Sequence, residues 1–258
     1  MSRRGTRAST RLATVAVVLV ASLLTIAASP AGAAKAAKSK PPTPIEALDS
    51  FAFKFVLSVV GAGTGALTSL TLNTEGTYTD PSNQDCSVTA SLGSIKIEQQ
   101  AVIVGKKTWI DDGSGLAPAK AGDFDFASQC LSDPSFWDDF NLTKTGGLVG
   151  TTETRNGIKV EHLDLSGALD QLSELGLFDD LPDDVTVNTL QAWRASKGGW
   201  IAGVDISLTA SENATCNEIL GDEIPVTLTA PCTVKVAFDV LRPNDKTIKI
   251  TPPKSGKK

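Results

Sequence analysis

The stretch Trp200-Ile-Ala-Gly-Val-Asp-Ile-Ser-Leu-Thr-Ala210 decides the fold class, because apolar and polar residues alternate along it with a period of two. Such alternation predicts a β-strand with one apolar and one polar face. A strand of this kind is typical of an antiparallel sheet that covers something on one side only. The predicted apolar face consists of Trp200, Ala202, Val204, Ile206 and Leu208.

A weaker strand pattern, Val185 to Ala195, precedes this stretch and carries Leu190 and Trp193. Between the two runs lies Ser196-Lys-Gly-Gly199, whose glycines suit a tight turn. The two runs therefore predict a long hairpin, with strands longer than the usual ~5–6 residues. Long strands with one apolar face wrap over helices or around a cavity, so what fills the concave side becomes the functional question.

The first residues predict a cleaved signal peptide, residues 1–33. Four arginines precede the apolar run Leu12–Ala28, and Ala31-Gly-Ala33 supplies the small residues of a cleavage site. A retained membrane anchor is the alternative, although the apolar run is short for a span. We expect a flexible linker at 34–44, a single domain at 45–252 and a basic tail at 253–258.

Charge excludes one large class of partners. The formal net charge is −5, and removing the four arginines of the leader, which contains no acids, lowers it to −9. Nucleic-acid binding requires a basic surface stripe. An acidic domain of this kind therefore argues against a nucleic-acid partner.

Four cysteines in an exported chain predict two disulfides, for which three pairings are possible. Cys216 and Cys232 flank one loop, and we expect them to pair, which leaves Cys86 with Cys130. Neither C-x-x-C spacing nor a histidine cluster is present, so the sequence does not favour a zinc site. We expect no metal and no cofactor.

The rest of the chain repeats the alternating pattern and predicts about ten strands with two or three helical inserts. Asn156-Gly157 is a strong signal for a two-residue hairpin turn. Ser166 is a candidate cap for a helix that runs to Leu175. Its apolar stripe would consist of Leu169, Leu172 and Leu175.

The aromatic segment Phe124 to Phe140 predicts one or two short helices. A helix that begins near Asp133 would place Phe136, Trp137 and Phe140 on one face. We expect these aromatic side chains to pack on the sheet and to close one end of an apolar space.

Catalytic chemistry finds little support in the sequence. Asp164, His162 and Ser166 are close along the chain, but proximity in sequence does not make a triad, and no G-x-S-x-G motif occurs. We therefore expect no enzyme activity. His162 is interpreted as a structural residue or as polar lining of a cavity.

Three ordered motifs resemble a known family. Val102-Ile-Val-Gly105 with Thr108-Trp-Ile110 is similar to a hairpin of exported bacterial lipoproteins. Gly157-Ile-Lys-Val-Glu-His-Leu-Asp164 and the Trp193 to Trp200 hairpin resemble the strands that follow it. The motifs resemble the LppX/LprG carriers and, more distantly, the LolA/LolB lipoprotein carriers. The resemblance covers about Ile45 to Pro252.

The resemblance implies an α+β fold: a LolA-like half-barrel, in which a curved antiparallel sheet covers a few helices. It also implies an apolar cavity for acyl chains, hence carriage of a lipid, an acylated lipoprotein or a glycolipid in the cell envelope. The lipid-attachment cysteine of the family is missing here, and Leu163 replaces an aromatic residue. We therefore expect a soluble, monomeric exported protein. The alternative is a secreted interaction module or antigen with a filled core and no ligand.

The candidate cavity lining combines the aromatic segment, the predicted helix stripe and the apolar face of the long hairpin. The set is Trp109, Phe136, Trp137, Phe140, Leu169, Leu172, Leu175, Trp200, Ala202, Val204 and Ile206.

Overall fold

A computed structural model describes residues 44–62, 68–80, 82–111, 113–119, 130, 134–140, 150–168, 182–220 and 228–253. In these ranges the chain forms one antiparallel sheet of eleven strands. The strands are β1 (Phe51–Gly61), β2 (Ser69–Asp80), β3 (Asn83–Leu92), β4 (Ile95–Val104), β5 (Lys107–Asp111), β6 (Ala117–Pro118), β7 (Thr151–Arg155), β8 (Ile158–Asp164), β9 (Val185–Ala195), β10 (Ile201–Ala210) and β11 (Cys232–Leu241).

The strand order is β6-β5-β4-β3-β2-β1-β11-β10-β9-β8-β7, so the sheet is open, with β6 and β7 at its edges. Two meanders, β1 to β6 and β7 to β11, make up the sheet. They are joined at its centre, where β1 pairs with β11 along a continuous register from Ala52↔Leu241 to Gly61↔Cys232. The predicted antiparallel sheet is confirmed.

Both predicted hairpins are present. β9 and β10 pair antiparallel, and the turn between them contains Gly198 and Gly199 at φ +99° and +77°. β7 and β8 pair through Asn156-Gly157, where both residues have positive φ, 53° and 78°. Positive φ at both central residues is the conformation that the right-handed twist of a hairpin requires.

Helical structure in the described ranges is short. It consists of 3₁₀-helices at Ile45–Ala47, Pro134–Phe140 and Ser166–Ala168, and of α1 at Asn213–Leu220. At the predicted start of the helix from Ser166, the described residues Ser166–Ala168 form a single 3₁₀ turn. The stripe residues Leu169, Leu172 and Leu175 lie outside the described residues, so the helix itself stays a prediction. That helices cover the sheet therefore stays a prediction. Of the helices described, none combines the length and apolar character of a membrane span.

Both disulfides form with the predicted partners. Cys86–Cys130 joins β3 to the connection before the second 3₁₀-helix, with a Cα–Cα distance of 5.8 Å. Cys216–Cys232 joins α1 to the first residue of β11, with a Cα–Cα distance of 5.9 Å. Each bridge therefore fastens a connecting segment to the sheet.

Candidate functional site: the apolar face of the sheet

One face of the sheet carries most of the buried apolar side chains, and we call it the apolar face. Register places one row of this face across eight neighbouring strands, which lie in the order β4-β3-β2-β1-β11-β10-β9-β8. The row consists of Gln99, Val88, Thr74, Phe55, Phe238, Val204, Ala192 and Leu163. At an inter-strand spacing of about 4.8 Å, the seven steps span about 34 Å.

The β10 section of this face contains three of the predicted lining residues. Ala202, Val204 and Ile206 are 1%, 0% and 4% exposed. Farther along the strand, Leu208 pairs with Val187 of β9, and both are only partly buried. The alternation in the sequence therefore identifies the core side of β10. Trp200, directly before the strand, is 5% exposed and belongs to the same core.

The 3₁₀-helix Pro134–Phe140, called the aromatic helix below, packs on the central strands. Trp137 stacks on Phe238 of β11 with ring centroids 4.4 Å apart and an interplanar angle of 1°. Its ring also lies 6.2 Å from Phe55 of β1 and 6.3 Å from Phe140. The aromatic helix thus packs against the two central strands, whereas the sequence led us to expect these side chains at one end. The side chain of Phe136 lies outside the described part.

The aromatic helix is held from two sides. The backbone N–H of Ile45 donates to both carboxylate oxygens of Asp138, each at 3.1 Å. The Cys86–Cys130 disulfide fastens the preceding connection to β3. These two attachments hold Trp137 in its stacked position on Phe238 of the apolar face.

Trp109 lies on the other side of the sheet. Its register partner on β4 is Val102, while the core residue Ala101 pairs with Ile110. Successive residues of a strand point to opposite faces, so Trp109 is separated from the apolar face by the sheet. A strand as short as Lys107–Asp111 gives no alternation long enough to fix which residues face the core.

The opposite face carries an aromatic and charged cluster that the sequence did not predict. The guanidinium carbon of Arg155 lies 3.5 Å from the ring centroid of Trp193, and the ring of His162 stacks on the same indole at 4.7 Å. The indole N–H of Trp193 donates to Glu153. His162 is therefore part of this stack and does not line the apolar face.

Arg155 reaches from the tip of the β7–β8 hairpin to the central strands. Its Nε donates to Asp239 at 2.6 Å and its Nη2 to Asp205 at 3.1 Å. Burial lowers the pKa of Arg155, but the hydrogen bond and charge of Asp239, with the charge of Asp205, outweigh burial and raise it. A Cβ at Gly203 would lie 3.0 Å from Nε of Arg155, so the glycine leaves room for the guanidinium.

Ser166 is engaged by the backbone. Its Oγ accepts from the N–H of Leu190 at 3.2 Å, and its own N–H donates to Asp164 at 3.0 Å. Hydrogen bonding from Ser166 lowers the pKa of Asp164; the backbone N–H of Ser166 contributes most and its hydroxyl contributes less. Ser166 and Asp164 thus hold the end of β8 against β9, while His162 stacks on Trp193.

No family model and no curated relative matches the sequence. Among solved structures, the chain is similar to LprF from Mycobacterium bovis at 10% identity and a TM-score of 0.38, covering 81% of this chain and 91% of that one. It is also similar to a LolA superfamily protein from Nitrosomonas europaea at 12% identity and a TM-score of 0.27, covering 76% and 87%.

A third similar structure is a putative outer membrane lipoprotein-sorting protein domain from Vibrio parahaemolyticus. Identity is 6%, the TM-score is 0.24, and coverage is 76% of this chain and 86% of that one.

Proposed function

We propose that this protein is an exported, non-enzymatic binder or carrier of lipid acyl chains in a bacterial cell envelope, and that the acyl chain lies on the apolar face. The observation that carries the proposal is the extent of this face beyond the aromatic helix. Half-buried apolar side chains of β3, β9 and β10 adjoin the buried core there; they are Ala90, Val185, Val187 and Leu208.

Acyl binding to such a face needs only apolar contact. Each buried methylene group contributes about 0.8 kcal/mol, so a long chain binds without a charged anchor. Within this proposal, Trp137, Phe140, Trp200, Ala202, Val204 and Ile206 line the binding space. The helix stripe Leu169, Leu172 and Leu175, with Phe136, would cover it. Trp109, on the opposite face, is left out.

An extracytoplasmic location fits the covalent structure. Two disulfides in one chain are typical of proteins that fold in an oxidising compartment. The proposed mature protein begins near Ala34, is soluble and monomeric, and takes up a lipid, an acylated lipoprotein or a glycolipid.

A charge on the apolar face tests the proposal. Leu208→Asp places a carboxylate among half-buried apolar residues, so we expect it to weaken binding of a fluorescent fatty-acyl probe at least tenfold. Ser207→Asp is the matched control, because it adds the same charge one residue away on the opposite face. There it lies beside Lys235. We expect Ser207→Asp to bind the probe like the unmodified protein.

Absence of probe binding by the unmodified protein would overturn the proposal and favour the interaction module with a filled core. Equal loss in the two variants would also count against it, since the loss would then not depend on the face. Lipid extraction and mass spectrometry of the protein from its native envelope would identify the bound species.

A further inference from the structure

Gln99 is a polar residue on the apolar face. It lies in β4 opposite Val88 of β3, which is 4% exposed. Its neighbours on the same face of the strand are Ile97 and Ala101, and Ala101 is fully buried. An amide side chain at this position therefore stands among apolar groups.

The side-chain oxygen of Gln99 has no hydrogen-bond partner. Within the described ranges, two buried side-chain atoms lack a partner, Oε1 of Gln99 and Nε2 of His162. Buried carbonyl oxygens in folded proteins almost always accept a hydrogen bond. Because the His162 atom lies on the opposite face, Oε1 of Gln99 is the one buried side-chain acceptor without a partner on the described part of the apolar face.

Gln99 also lies away from the aromatic helix, at a distance that an acyl chain on the apolar face would span. Val88 and Thr74 separate it from Phe55, so three strand spacings, about 14 Å, lie between Gln99 and the strand on which the aromatic helix packs. An acyl chain on this face ends in a polar group, and that group must also find a partner when it leaves water.

We infer, resting on the acyl-chain function proposed above, that Oε1 of Gln99 accepts a hydrogen bond from the polar end of the bound lipid. The ligand class is therefore an acyl lipid with a neutral donor next to its chain. That donor is either the hydroxyl of an acylglycerol or the N–H of an acyl amide. A lipid whose polar end carries only acceptors leaves the glutamine oxygen unpaired and binds more weakly.

Three lipids with the same acyl chain test this inference on the full exported protein. Monoolein offers hydroxyl donors, oleamide offers N–H donors, and methyl oleate offers none. We expect at least one donor lipid to displace a fluorescent fatty-acyl probe at a concentration about tenfold lower than methyl oleate, which corresponds to about 1.4 kcal/mol. Which of the two does so distinguishes the hydroxyl source from the amide source.

Substitution then assigns the preference to one residue. Gln99→Leu removes the acceptor, so the preference should disappear while methyl oleate binds as before. Gln99→Glu keeps an acceptor oxygen and should retain the preference. Gln100→Leu is the matched control, because Gln100 is the same residue type in the same strand on the opposite face, where it donates to Asp85 at 3.0 Å. The preference should survive this change.

The outcomes separate the inference from the proposed function. Equal displacement by all three lipids, or a Gln99→Leu variant that weakens all three equally, would overturn the role of Gln99 and leave acyl binding intact. Failure of the unmodified protein to bind the acyl probe at all would overturn both.

Discussion

Replacing Gly76 by alanine would place a methyl group where the apolar face has no room for one. Gly76 lies in β2, paired with Phe53 on one side and with Cys86 on the other. A Cβ there would lie 2.6 Å from the carbonyl oxygen of Asp85 and 2.8 Å from both Cβ of Cys86 and Cζ of Phe53. Ordinary contacts of a Cβ begin near 3.4 Å, so at least one neighbour must move by more than half an ångström.

None of these neighbours moves freely. The Asp85 oxygen belongs to the backbone, Cys86 is fixed by its disulfide, and Phe53 is 1% exposed. Overpacking of such a site lowers the free energy of unfolding by about 1–3 kcal/mol. For a protein of this size, that loss lowers Tm by roughly 2–12 °C.

Equilibrium urea unfolding followed by tryptophan fluorescence measures the effect. Gly167→Ala is the matched control, because a Cβ at Gly167 meets nothing within 4 Å and its backbone conformation is an ordinary one. Its unfolding free energy should change by less than about 0.5 kcal/mol. A Gly76→Ala variant as stable as Gly167→Ala would refute the close packing on which the reasoning depends.

Two further predictions concern charges. Arg155→Gln removes the guanidinium from Asp205 and Asp239 and leaves Asp239 with the hydrogen bond from Asn156. It should lower the unfolding free energy by about 1–3 kcal/mol, with loss of amide-exchange protection in β7 and β8. The Thr215 hydroxyl, more than any other contact, lowers the pKa of Asp184. The stability this provides is present above the ordinary pKa of about 4 and is lost as pH falls through the lowered folded pKa. Between about pH 5 and pH 2, the Tm of the Asp184→Asn variant should therefore fall by less than the Tm of the unmodified protein.

A different result would contradict each of the two charge predictions. Arg242→Gln is the control for Arg155, because the Arg242–Asp245 pair is more exposed and such pairs contribute only about 0–1 kcal/mol. Equal losses in the two arginine variants would count against a special role for Arg155. Identical pH dependence of Tm with and without the Asp184 carboxylate would contradict the second prediction.

Local sequence patterns correctly predicted features that depend on neighbouring residues alone, such as the buried side of a strand or the position of a tight turn. The alternation from Trp200 to Ala210 identified the core side of β10, because a half-buried strand needs apolar residues at every second position. Asn156-Gly157 identified the β7–β8 turn, because both residues adopt positive φ there. Those signals lie within a few residues of the feature they predict.

Apart from the two disulfides, contacts between distant segments left no such signal. The pairing of β1 with β11 joins residues 171 to 189 positions apart, and nothing in the sequence of either strand identifies its partner. Arg155 and Asp239 are separated by 84 positions, and their contact depends on the glycine at position 203. The position of Trp137 over Phe238 likewise follows from the sheet order and from the disulfide that fastens its connection.

The central β1–β11 ladder also sets the order of events when the chain is made. Chain synthesis runs from the N-terminus, so β1 emerges long before Cys232–Leu241, and until then the middle strand of the finished sheet has one bare edge. Bare strand edges invite pairing with other chains. A chain truncated before Cys232 would keep that unpaired edge permanently and lose one disulfide, so we expect it to aggregate.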